Sequence, residues 1–62
     1  MERYKIAVWW YDDRYNAIHI NSKKRAEMLI YALIDRKYAG EARIDRIYLY
    51  DTKLDKIIME EK

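Results

Sequence analysis

The sequence predicts an α+β fold of order ββαββ, with one helix packed on one face of a four-stranded antiparallel sheet made of two hairpins. Three observations predict it: side chains alternate in character over residues 4–20, apolar residues recur with a period of 3.6 up to Tyr38, and alternation returns over residues 43–50. A chain of 62 residues makes one domain, which we assign to residues 1–62.

The first hairpin is predicted from two alternating stretches on either side of Asp12 and Asp13. Short acidic side chains bond to nearby backbone and tolerate left-handed conformations, so this pair indicates a turn. In residues 4–11 the alternation separates Tyr4, Ile6, Val8 and Trp10 from Lys5, Ala7, Trp9 and Tyr11. In residues 14–20 it separates Ile18 and Ile20 from Tyr15, Ala17 and His19.

The helix follows Asn21 and Ser22, either of which is a suitable N-cap. It has no internal Gly or Pro, and Gly40 lies just past its end, where a left-handed residue is expected. The residues at the spacing of a core-facing stripe are Ala26, Leu29, Ile30 and Leu33.

The second hairpin is predicted from residues 43–50 and from the last apolar stretch. In the first of these, Ile47 and Leu49 oppose Ile44, Arg46, Tyr48 and Tyr50. Residues 54–60 fit two structures, a fourth strand or a C-terminal helix, because Leu54, Ile57 and Ile58 also have helical spacing. We favour the strand, since Ile-Ile is β-prone and the distance from Tyr50 suits a hairpin.

The aromatic residues are two Trp and seven Tyr, without any Phe, so every ring carries a polar group and suits a surface that is half apolar and half wet. One helix covers one face of such a sheet, and the rings concentrate elsewhere. The interface residues predicted on the open sheet face are Trp9, Tyr11, Tyr15, Arg46, Tyr48 and Tyr50. Those predicted on the outer helix face are Met28, Tyr31 and Tyr38.

Composition argues against catalysis and against a metal or other cofactor. There is no Cys, the single His19 has no partner that the sequence places beside it, and the acidic turns do not have the ligand spacing of a calcium loop. A single Gly argues against a glycine-rich loop of the kind that binds phosphate. No apolar run is long enough to span a membrane, and with no Cys, signal segment or linker we expect a compact cytoplasmic protein.

These observations favour a small regulatory protein without enzymatic activity that forms a homodimer and binds and modulates another, unidentified protein, a profile typical of viral or mobile-element accessory proteins. A domain this small has a marginal core, and oligomerisation is a common remedy. The alternative is a nucleic-acid-binding regulator that stacks bases on the sheet rings. Its phosphate contacts would come from Lys23, Lys24 and Arg25, which otherwise form a solvated basic turn. A net charge of only +2 counts against this alternative.

Overall fold

The computed structural model describes residues 2–40 and 43–62 and confirms the ββαββ fold. The elements are β1 (Tyr4–Trp10), β2 (Tyr15–Ile20), α1 (Lys23–Ala39), β3 (Ile44–Asp51) and β4 (Lys56–Glu61). All strand pairs are antiparallel and the sheet order is β2-β1-β3-β4, so the last segment is a strand and not a helix. The two hairpins therefore lie side by side, joined through β1 and β3.

The first hairpin closes through a turn in which Asp13 adopts a left-handed conformation, with φ of 67°. The Asp13 N–H donates to the Trp10 carbonyl, and the Trp10 N–H donates to the Arg14 carbonyl. The Asp12 carboxylate accepts from both the backbone and the guanidinium of Arg14. The acidic pair thus forms the turn for the reason that the sequence suggests.

Helix α1 begins and ends where its capping residues predict. The Ser22 hydroxyl accepts a hydrogen bond from the Arg25 N–H, which has no partner within the helix. Gly40 has φ of 75° and its N–H donates to the Lys37 carbonyl. Within residues 2–40 and 43–62, no helix is long and apolar enough to cross a bilayer.

The core lies between α1 and the inner strands. Its buried members are Tyr4, Ile6, Val8, Ala26, Ile30, Ile44, Ile47 and Leu49. Trp10 is half-buried and packs against this cluster, as do Leu29 and Leu33 of the predicted helical stripe. The core therefore forms between the side of β1 that alternation predicts and the stripe of α1 that the 3.6-residue period predicts.

Ile44 corrects the predicted alternation in β3. We expected it opposite Ile47 and Leu49, but it is buried with them. The register between β1 and β3 shifts at one point, because Trp9 pairs with Arg46 whereas Trp10 pairs with Ile44. Asp45 is the extra residue of a β-bulge, and it returns Ile44 to the core face.

The end of β3 is fixed by an ion pair between Arg3 and Asp51. The Arg3 guanidinium donates to both carboxylate oxygens, with Nη2 2.8 Å from Oδ2, and Asp51 is buried. The same carboxylate accepts from the N–H groups of Lys53 and Leu54 and so also forms the turn before β4. These bonds, the Arg3 contact first, lower the pKa of Asp51 to about 2.

Candidate interaction surface

Four rings from three adjacent strands form a continuous row on the sheet face that α1 does not cover. They are Tyr15 of β2, Trp9 of β1, and Tyr48 and Tyr50 of β3. The ring centroids of Trp9 lie 4.5 Å from Tyr15 and 5.7 Å from Tyr48, the second pair edge to face. Tyr48 and Tyr50 are 6.1 Å apart. We call these four side chains the aromatic ladder; their spacings are those of favourable ring pairs.

Strand register explains why the rings meet. Trp9 pairs directly with Tyr15 across β1 and β2, and side chains opposite each other in an antiparallel pair lie on the same face. On its other side Trp9 pairs with Arg46, so Tyr48, two positions further along β3, is its diagonal neighbour. The ladder therefore follows from alternation and register together.

Two cations lie over the ladder. The Lys5 ammonium nitrogen is 5.1 Å from the centroid of the Tyr50 ring, which is its direct cross-strand partner. The Arg46 guanidinium carbon is 5.1 Å from the centroid of the Trp9 ring. The Nε of the same guanidinium forms an ion pair with the Asp45 carboxylate. Both arrangements are cation–π contacts, which hold the charged groups against the rings. The surface thus has apolar ring faces with charged groups beside them.

The ladder also covers the backbone of the sheet. Ala7 lies on the open face, between Ala17 and Tyr48, yet only 1% of its surface is accessible. Because α1 lies on the other side, the cover over Ala7 must come from the taller side chains around it. Trp9, Tyr48 and Tyr50 are half-buried, and Tyr15, at the edge, is 48% exposed. The ladder therefore packs on itself and still presents ring surface to solvent.

Strand β4 adds two residues that sequence reasoning did not assign to this face. Ile57 pairs with Tyr50 and Glu60 pairs with Tyr48. A register shift between these pairs leaves Ile58 as an extra residue, so Ile58 and Met59 both pack toward the core. Alternation alone could not reveal which of these apolar residues faces outward.

Tyr11 makes no ring contact with the ladder among the described residues, and the strand predicted to include it ends one residue earlier. Strand β1 ends at Trp10, and Tyr11 begins the turn, with its N–H bonded to the Arg43 carbonyl. Its side chain is 67% exposed. A tyrosine before a turn has the same character as one within a strand, so alternation alone does not mark where β1 ends.

The predicted helix residues are exposed, with Met28 at 64%, Tyr31 at 53% and Tyr38 at 71%. The Tyr38 hydroxyl donates to the Glu61 carboxylate of β4, and this bond raises the pKa of Tyr38. Tyr38 therefore leans toward the β4 edge. Within residues 2–40 and 43–62, these three side chains form no aromatic ring pair like those of the ladder.

The basic start of α1 is exposed and has no acidic residue in its first turn. Arg25 lines a shallow cavity of about 430 Å³ with Glu2, His19, Ile20, Asn21 and Ser22. Because α1 packs on the covered face of the sheet, Lys23 and Lys24 lie on the opposite side of the molecule from the ladder. Among the described residues, the cations that contact ladder rings are Lys5 and Arg46 and not those of this turn.

Acidic side chains in the part of the chain that the structure describes do not converge with each other or with His19 in a group of three that could bind a metal ion. Asp12 pairs with Arg14, whose Nε lies 2.7 Å from its Oδ2, and Asp51 pairs with Arg3. These contacts lower the pKa of both carboxyl groups. Both acids therefore have structural partners.

Comparison with models of known protein families, with curated proteins and with solved structures finds no match to this chain.

Proposed function

We propose that the chain is a non-catalytic regulatory protein that forms a homodimer and binds another protein through the aromatic ladder. The observation that carries the proposal is the row of four half-exposed rings with Lys5 and Arg46 over two of them. Tyr, Trp and Arg are the residues that most often dominate binding energy at protein interfaces. The ladder is already ordered by its own contacts, so docking on it loses little side-chain entropy.

A protein partner is favoured over nucleic acid by the distribution of charge. Phosphate backbones are held by a series of cations along one path, whereas the ladder has Lys5 and Arg46 together with the acidic Glu60 on the same face. Lys23, Lys24 and Arg25 belong to the first turn of α1, and none of them makes a cation–π contact with a ladder ring among the described residues. A mixed apolar and charged surface suits a protein partner with its own apolar anchors and a few carboxylates. We also propose that the protein acts in the cytoplasm.

The non-catalytic part of the proposal is supported by the shape of the ladder. It is an open sheet surface, whereas enzyme sites are concave and exclude water. His19 and Glu2 line the 430 Å³ cavity, but neither has a hydrogen bond that would orient it for proton transfer among the described side chains.

The experiment is a quantitative co-purification from the native host with matched tyrosine variants. Tyr50→Ser removes one end of the ladder, and Tyr31→Ser removes a ring of similar chemistry from the outer helix face. The partner should be lost with Tyr50→Ser and retained with Tyr31→Ser, and the same order should hold when the purified partner is titrated. Loss with Tyr31→Ser alone would assign partner binding to the helix and contradict the proposal.

A second candidate function, binding of single-stranded nucleic acid, is favoured by the two cations over adjacent aromatic rings. The test is titration of a fluorescently labelled oligonucleotide at 50 mM and at 200 mM salt, between which two phosphate contacts to a single strand should weaken binding about sevenfold. Affinity that falls steeply with salt and disappears in Tyr50→Ser would establish this function in place of the first. Absence of binding at the lower salt concentration would reject it.

A further inference from the structure

Strand β2 is one of the two edges of the sheet, and its hydrogen-bonding groups alternate between the two sides. The Trp10 N–H bonds to the Arg14 carbonyl, and antiparallel pairs alternate from there, so Asn16, Ile18 and Ile20 bond to β1. The N–H and C=O groups of Tyr15, Ala17 and His19 then point outward. None of the strands in the described chain pairs with that outer side.

The two edges of the sheet differ in their protection. Edge strands are usually blunted by charged side chains, proline or a bulge, which discourage pairing with another chain. Strand β4 has Lys56, Glu60 and Glu61 and a bulge at Ile58. Strand β2, with the sequence YNAIHI, has no charged residue, no proline and no bulge. The unprotected edge is therefore specific to β2.

We propose that β2 pairs antiparallel with β2 of a second copy of this chain, about a twofold axis at Ala17, to form a continuous eight-stranded sheet. This inference rests on the homodimer of the proposed function and specifies its surface. The outward groups of Tyr15, Ala17 and His19 match their own symmetry mates, with Ala17 opposite Ala17 and Tyr15 opposite His19. A second copy of the same strand therefore satisfies the outward groups of all three residues at once.

Side chains on both faces agree with this register. On the open face the small Ala17 lies at the axis, and the exposed Tyr15 of each copy gains the His19 ring of the other. On the covered face the half-buried Ile18 residues of the two copies become diagonal neighbours, about 7–8 Å apart. Strand β2 itself has no charged side chain, so no like charges meet within the paired strands.

The dimer would join the open faces of the two copies into one surface and leave both copies of the outer helix face free. A partner that contacts the ladder of one copy would then have the ladder of the other in the same sheet. The proposed dimerisation and partner binding thus use different parts of the molecule, and variants can separate them.

The direct test is amide hydrogen exchange by NMR on the wild-type protein, with light scattering to establish the oligomeric state of the same samples. In dimeric samples the N–H groups of Tyr15, Ala17 and His19 should exchange at least about tenfold more slowly than in dilute, monomeric samples. Those of Asn16 and Ile18 should be protected in both. A dimer in which the three outward amides stay unprotected would overturn the β2 pairing and leave the homodimer of the proposed function intact.

The matched variants are His19→Pro and His19→Thr. The proline removes an N–H that faces solvent in the monomer but bonds to the second copy in the dimer, and edge strands tolerate such a proline. His19→Pro should raise the dimer dissociation constant at least about tenfold, and His19→Thr should leave it near the wild-type value. Wild-type dimer affinity in a folded His19→Pro protein would refute the β2 pairing. If that variant does not fold, the exchange experiment decides; wild-type protein that stays monomeric at millimolar concentration would refute both the pairing and the homodimer.

Discussion

The substitution Trp9→Leu tests whether the aromatic ladder stabilises the folded domain. Leucine keeps an apolar side chain on the open face but removes the ring that joins β2 to β3. Trp9 contacts the rings of Tyr15 and Tyr48 and the Arg46 guanidinium. Each ring pair contributes about 0.5–1.5 kcal/mol beyond its buried area, and an exposed cation–π contact about 0.5–1 kcal/mol. The free energy of unfolding should therefore fall by about 1.5–4 kcal/mol.

That loss is large for this domain. At roughly 0.05–0.15 kcal/mol per residue, 62 residues give a total stability of about 3–9 kcal/mol. In a domain of this size each kcal/mol shifts the melting temperature by about 4–8 °C. Urea unfolding followed by far-UV circular dichroism measures the change, at a protein concentration at which light scattering shows only monomer, because dimerisation would add to the apparent stability.

Tyr31→Leu is the matched control, since Tyr31 is 53% exposed on α1 and has no ring partner among the described residues. It should change the stability by less than about 0.5 kcal/mol. If Trp9→Leu is equally mild, the rings do not stabilise one another as their distances imply, and the ladder is not an ordered docking surface.

Three further predictions concern the fold that holds the ladder. Asp51 has a folded-state pKa of about 2, below its ordinary value of 3.8, so its ion pair with Arg3 contributes fully above about pH 5 and is lost as the pH falls toward 2. Asp51→Asn should lower the melting temperature at pH 7, and the difference from wild type should shrink on acidification; a difference independent of pH would contradict this. Gly40→Ala should lower the stability by about 1 kcal/mol in urea unfolding, because φ is 75° and a Cβ would meet no neighbour within 4 Å, so only backbone strain opposes it. Gly40→Asn should recover part of that loss, and equal effects would rule out the strain. Ser22→Ala should lower the stability by about 1 kcal/mol, whereas Ser22→Asn should be nearly neutral; equal losses would show that capping is not the cause.

The sequence predicted the type and order of the first four elements because their periods differ and the caps of α1 are local. For residues 54–60 it favoured a strand but also fitted a helix. It also placed Trp9, Tyr15, Tyr48 and Tyr50 on one face, since alternation and a hairpin register are enough for that. Ile44 was placed on the wrong face because a bulge depends on the cross-strand partner and not on the strand's own residues. The ion pair of Arg3 with Asp51, 48 positions apart, depends on strand order, which periodicity does not encode.

The central pairing of β1 with β3 has a consequence for how the domain folds. Each hairpin can close locally, but an isolated two-stranded hairpin is at best marginally stable in water. Here the two hairpins become one sheet only when β1 meets β3, and Tyr4 then pairs with Asp51 near the far end of the chain. The same step brings both hairpins against α1 and completes the core. Unfolding should therefore be a single cooperative transition, and folding should be slower than in helical proteins of equal length, because the decisive contacts are distant in sequence.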